Sequence, residues 1–216
     1  MADRATDQFL QALEMRYPDL ASCLPDVERA YLLLAGAFRQ GGKVLLCGNG
    51  GSAADCEHIV GELMKGFRHK RPVPPEVRDK LRGAFPDTGD SIADQLQGAL
   101  PAIALTSQTS LISAVANDTA ADMIFAQQVF GYGKPHDVLI GISTSGNSRN
   151  VLCALRVARA LGLSTLGLTG QAGGAMLHLC DVIIRVPFES TSEVQERHLP
   201  IYHTLCLMLE EAFFPQ

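Results

Sequence analysis

No CxxC pair, no membrane-length apolar run and no strong basic tract occur in this chain. Its six cysteines, at 23, 47, 56, 153, 180 and 206, stand singly and mostly in apolar contexts. They read as buried, reduced thiols of a cytosolic protein rather than as a disulfide framework. The N-terminus, MADRATDQFL, mixes charges of both signs and has no apolar core of a secretion signal. No apolar stretch approaches the roughly 20 residues that cross a bilayer, so no membrane association is expected. A formal charge of -5 argues against a nucleic-acid surface. The densest basic run, Lys65 to Arg71, is short and fits a solvated helix end. What these absences leave is a cytoplasmic globular protein. At 216 residues with 47% of them apolar, a single domain with one well-filled core is expected.

Nucleotide signatures are missing too. There is no GxxxxGK[ST]. The stretch GNGGS lacks the third glycine of GxGxxG, and no acidic residue ends the next strand where a ribose contact belongs.

What is present is an alternation. Val44–Cys47, Ala102–Leu105, Val138–Ile142, Thr165–Leu168 and Val182–Val186 are too short for helices and rich in Val, Ile and Leu. They fit strands buried on both faces of a parallel sheet. Helix-like segments lie near 52–66, 109–131, 148–161 and 173–179. N-terminal helices are expected over 1–40, the second following Pro25 and stopped at Gly41-Gly42. A last helix over about 192–213 closes the chain. The pattern predicts an α/β fold: a three-layer α/β/α sandwich around a central parallel five-stranded sheet, with ligands at the carboxyl ends of the strands. Residues 69–100, with four prolines and mixed charge, break the rhythm. They are expected to be a partly ordered insertion with one helical patch, Ile92, Leu96 and Leu100.

Two strand-to-helix loops stand out. LLCGNGGSAADCEHIVGEL runs a strand into Asn49-Gly50-Gly51-Ser52, then into a helix carrying His58 and Glu62. VLIGISTSGNSRNVLCALRVAR runs another into Ser143, Thr144, Ser145 and Ser148. Hydroxyls at a helix N-terminus cap free N–H groups and leave further donors outward. With the helix dipole they form an anion site suited to phosphate. An ordinary Ser/Gly loop with one capping hydroxyl is the alternative reading. His58 and Glu62, at i and i+4, share one helix face; alone, such a pair is more often a helix-surface interaction. Gln195 and His203 lie eight residues apart, about 80° round a helix, with Pro200 between them. The remaining histidines, at 69, 136, 178 and 198, read as satisfied or surface residues.

GNGGS followed by H-x3-E, then ISTSGNS, then VQERHLPIYH, resembles the sugar isomerase (SIS) family, within it the phosphoheptose isomerases. The resemblance covers about 30 to 213 apart from the insertion. It implies an aldose–ketose isomerase that converts sedoheptulose 7-phosphate to D-glycero-D-manno-heptose 7-phosphate through an enediol. It implies Glu62 and His203 as the catalytic acid–base pair, and one zinc ion per subunit on His58, Glu62, Gln195 and His203. Two imidazoles and a carboxylate suit zinc; an amide oxygen is a less usual ligand. Phosphate falls to Ser52, Ser143, Ser145 and Ser148, with Asn49, Gly50, Gly51 and Thr144 lining the loops. Glu62 and Gln195 also face the substrate, and Asn117 and Asp118 touch the sugar; alone, Asn-Asp is only a turn signal. A homotetramer with sites completed across subunits is also implied. Three other readings remain: an isomerase of another phosphosugar, a non-enzymatic SIS tetramer that binds the replication initiator protein, and a sugar-phosphate sensor. The initiator-binding relative lacks the residues matching Glu62 and His203. A sensor would normally carry a DNA-binding segment, and none is visible here.

Overall fold

The computed structural model describes residues 4–215, so the first three residues of the N-terminal stretch lie outside the described residues. The chain opens with α1 (Arg4–Arg16), a 3-10 turn at Pro18–Cys23, and α2 (Leu24–Arg39) with Pro25 in its first turn. Strand β1 (Val44–Gly48) leads into α3 (Gly51–Met64). Next come α4 (Pro75–Ala84) and α5 (Gly89–Gln95), then β2 (Ala102–Ala104), α6 (Thr109–Asp118) and α7 (Ile124–Tyr132). Strand β3 (Val138–Ile142), α8 (Arg149–Ala160), β4 (Ser164–Thr169), β5 (Val182–Arg185) and α9 (Thr191–Phe213) complete the chain. Among the described residues no helix is long and apolar enough to cross a membrane.

All five strands are parallel, in the order β2-β1-β3-β4-β5. Every residue of β1 and β3 is buried, as central strands covered on both faces require. Alternation divides the core. Val44, Leu46, Ile140, Ile142, Leu166 and Leu168 pack with residues of α1, α2, α3 and α9, while Leu45, Cys47 and Leu139 pack with α7 and α8. The predicted three-layer sandwich is observed. In a 2-1-3-4-5 sheet the strand order reverses between β1 and β3, and the crevice at their carboxyl ends is where such folds bind ligands.

Three expectations change in detail. The segment 109–131 is two helices, because the chain turns at Thr119, whose Oγ1 bonds back to Val115 O at 2.8 Å. Residues 174–178 form a 3-10 turn, not an α-helix. The insertion holds two helices rather than one patch. Ile92 lies in α5, which ends at Gln95, and Leu100 is buried in extended chain, its N–H bonded to Leu63 O at 2.9 Å. Pro75 in the first turn of α4, with Glu76 behind it, was the start signal for the other.

Candidate active site

Both polar loops arrive side by side at the β1/β3 crevice. Asn49 and Asn150 lock them together by reciprocal amide bonds of 3.0 and 2.8 Å. Gly50 has φ +55, open to glycine at little cost. A Cβ on Gly51 would lie 2.6 Å from Gln195 Nε2, so a side chain here would push the Gln195 amide aside. Ser52 and Ser143 are buried beneath, Thr144 and Ser148 are half-buried, and Asn49, Gly50, Gly51 and Ser145 are exposed. The capping expected of the hydroxyls does not occur: neither α3 nor α8 receives a side-chain cap bond from its N-cap residue, Gly50 or Ser148. Ser148 Oγ pairs instead with Ser143 Oγ at 2.9 Å. Two helix N-termini thus face one crevice with no cap bond from the N-cap residue, although Asn150 Oδ1 accepts the Val151 N–H of α8 at 2.9 Å. The N-terminal ends of both helices favour an anion.

The titratable groups lie further down α3, where it packs against α9. His58 Nε2 stands 3.3 Å from Glu62 Oε1 and 3.4 Å from His203 Nε2. Lys65 Nζ holds the other carboxylate oxygen of Glu62 at 3.0 Å. Tyr202 OH bonds Asp55 Oδ1 at 3.2 Å and meets His58 Nδ1 at 3.1 Å. The His58, Tyr202 and His203 rings meet edge-on at centroid distances of 5.0 to 5.4 Å, and Phe67 tilts over His203. Burial, then the neighbouring His58, lowers the His203 pKa, with Glu62 opposing. Burial raises that of Asp55 against the opposing hydrogen bond from Tyr202. A cleft of about 290 Å³ opens beside His203, lined by Phe9, Leu13, Arg16, Tyr17 and Phe67 among others.

The carboxyl end of α3 is fixed by the inserted segment. Arg71, wholly buried, donates to Leu63 O at 2.8 Å, to Glu62 O at 3.0 Å and to Glu210 Oε1 at 2.8 Å. Glu210 also accepts the N–H groups of Phe67 and Arg68, both at 2.8 Å. Arg71 therefore caps the helix at the residue bearing Glu62. Sequence reading missed Arg71, Tyr202, Asp55, Lys65 and Asn150. Lys65 alone had a local signal, three residues after Glu62 on the same face.

Tetrahedral zinc with ligands at about 2.0–2.1 Å sets neighbouring donors about 3.3–3.4 Å apart. The two distances from His58 Nε2 match those edges. The donors also fit chemically, being imidazole nitrogens and a carboxylate oxygen. The full set is not gathered: among the described residues no group of three His, Cys, Asp or Glu side chains forms a metal centre. Gln195 lies against Gly51 at the head of α3. Its eight-residue separation from His203 is about 12 Å along a helix, an axial distance that the angular argument left out. The helix continues through Pro200. Asn117 and Asp118 are exposed at the last turn of α6, bonded to each other at 2.8 Å, a helix length from its start beyond β2. His198 is not the satisfied or surface residue expected. It is fully buried, neither ring nitrogen makes a well-formed hydrogen bond, and burial pushes its pKa down to about 4 against the opposing influence of the Thr169 backbone.

A parallel 2-1-3-4-5 sheet with two polar loops at its switch point defines a doubly wound α/β ligand-binding domain. The sequence pattern of the SIS domain matches residues 20–83 and 81–170, the two stretches meeting inside α4. The chain is 40% identical to the phosphoheptose isomerase of Rhodospirillum rubrum, over 94% of this chain and 95% of that one. Among solved structures it resembles the phosphoheptose isomerase of Neisseria gonorrhoeae (TM-score 0.71, 31% identity, 95% of this chain and 93% of that one). It also resembles that of Francisella tularensis (TM-score 0.72, 30% identity, 95% and 96%). The chain belongs to the SIS domain family, among the phosphoheptose isomerases.

Proposed function

We propose that this protein is a phosphosugar aldose–ketose isomerase and that sedoheptulose 7-phosphate is its substrate. The observation that carries this reading is the layout along α3. Two helix N-termini stand at its head, and the Glu62–His58–His203 cluster lies two to three turns further down, at least about 10 Å away by helix rise. Phosphate at one end and carbonyl at the other of a long-chain sugar suit that spacing. Glu62 takes a proton from C1 of the ketose and returns it to C2. His203 donates its N–H to the C2 oxygen as the enediol forms and takes the O1 proton as the aldehyde closes, so the proton count balances. The depressed pKa of His203 suits a neutral imidazole in that role.

A zinc ion on His58, Glu62 and His203 is part of the proposal; Gln195, about 12 Å from His203 along α9, is not placed to join them within one chain. When bound it would polarise the carbonyl oxygen as a Lewis acid. Ser52, Ser143, Ser145 and Ser148 hold the phosphate beside Asn49, Gly50, Gly51 and Thr144. Gln195, over Gly51, contacts the substrate near that end. Asn117 and Asp118 serve a neighbouring subunit of a homotetramer; their exposure away from this chain's own cluster supports that assignment. A cytoplasmic location agrees with six unpaired thiols.

The test is to incubate the protein with sedoheptulose 7-phosphate, with zinc or with chelator, and to follow aldose formation by NMR. Conversion is expected, and faster with zinc. A folded protein that binds the sugar phosphate without converting it would sink the reading. Light scattering on the same sample checks the tetramer.

A further inference from the structure

Tyr202 is 2% exposed and its hydroxyl touches two groups of α3. A phenol has one proton to donate, and a carboxylate can only accept. With that proton directed to Asp55 Oδ1 at 3.2 Å, the 3.1 Å contact with His58 Nδ1 closes only if the imidazole donates N–H to the phenolic oxygen. The burial of Tyr202 leaves little room for water to replace either partner. The other ring nitrogen, Nε2, is then without a proton, and its lone pair can accept the N–H of His203 Nε2 at 3.4 Å. With the acceptor-only Glu62 Oε1 at 3.3 Å it forms a pair of electron-pair donors for a shared cation rather than a hydrogen bond. We propose that Tyr202, anchored on Asp55, is a positioning residue that fixes His58 as its Nδ1–H tautomer and presents the Nε2 lone pair to the active site.

The relay runs between residues on two helices and uses none of the groups assigned to proton transfer. It rests on the reading of His58 as a site residue, and it makes His58 an acceptor or ligand rather than an acid.

Imidazole nitrogen NMR on the full-length protein with ring-labelled histidine, with and without chelator, reads the tautomer directly. The wild type is expected to show His58 protonated at Nδ1. In Asp55→Asn the amide can donate to the phenolic oxygen, which turns the phenol proton to Nδ1 and drives His58 toward the Nε2–H form. Tyr202→Phe keeps the ring and loses the fixed tautomer. In both, kcat with sedoheptulose 7-phosphate is expected to fall about 10- to 100-fold with KM little changed, and Tyr202→Phe also lowers the melting temperature, because Asp55 loses its hydrogen-bond donor. A wild type in the Nε2–H form overturns the proposal, even if neither variant folds. So does a tautomer that shifts while kcat holds, or a kcat that falls while the tautomer holds. An Nδ1–H His58 in a protein that isomerises no sugar phosphate would remove the functional reading and leave the tautomer assignment intact.

Discussion

The two strand–loop–helix units at the switch point look alike in sequence and differ in their surroundings. Both β1–α3 and β3–α8 run a buried strand into a polar loop and a helix whose N-cap residue makes no side-chain cap bond. Helix α8 packs beside α7 on one face of the sheet, while α3 packs on the other beside α9. That neighbour brings Tyr202 and His203 to His58 from 144 and 145 residues away. The far ends differ as well. After α8 the chain reverses at Gly162, with φ +79, where N–H groups satisfy the carbonyls of the last turn. After α3 a buried arginine does that work, and it is tied to Glu210. The two loops are alike, but only α3 has titratable groups of α9 packed against its inner turns.

The comparison breaks most sharply at Glu62. Glu62→Gln is expected to lower kcat about 10²–10⁴-fold with the fold intact, measured by the NMR assay, whereas substitutions on the solvent face of α8 leave it unchanged. The helix ends come next. Arg71→Met leaves the Glu210 carboxylate buried without its cation and costs about 3–5 kcal/mol. Gly162→Ala strains a left-handed turn but meets no nearby atom and costs about 1 kcal/mol. Thermal melts should separate them clearly, each kcal/mol being worth about 2–4 °C in a chain of this size; equal shifts would mean that the two ends are equivalent after all.

On α9, His198 has its pKa lowered from 6.5 to about 4 in the folded protein, mainly by burial. Between those values the unfolded chain binds the extra proton. The stability due to neutral His198 is therefore present above pH 6.5 and lost as pH falls toward 4, by up to about 3 kcal/mol. Denaturant titrations at pH 7 and pH 4.5 should show a smaller difference for His198→Leu than for the wild type. The smallest effect belongs to the α8 loop. Ser148→Ala removes one hydroxyl of the Ser143–Ser148 pair and should raise KM several-fold, about 1 kcal/mol, with kcat held. A fall in kcat instead would place that loop in the chemistry and erase the distinction between the units.

Much of this was legible in advance. Runs of Val, Ile and Leu too short for helices gave the five strands to within one or two residues, since strands buried on both faces tolerate little else. GNGGS and STSGNS marked the two loops because bare backbone and hydroxyls at a strand end have few structural uses. The spacing of His58 and Glu62 put them on one face by helix geometry alone. The turn at Thr119 and helix α4 were missed for local reasons: a side chain competing with the backbone, and a proline read as a breaker where it was a start.

The amino-acid sequence by itself determined the parallel sheet, the loops at its carboxyl edge and the His58–Glu62 face, because these depend on neighbours a few residues away. Only the tertiary structure decided that Tyr202 meets both Asp55 and His58, that Arg71 and Glu210 close α3, and that Gln195 lies over Gly51. Those contacts join residues distant in the chain. Whether a buried polar group finds its partner there is set by how the helices pack on the sheet, which no local pattern of residues encodes.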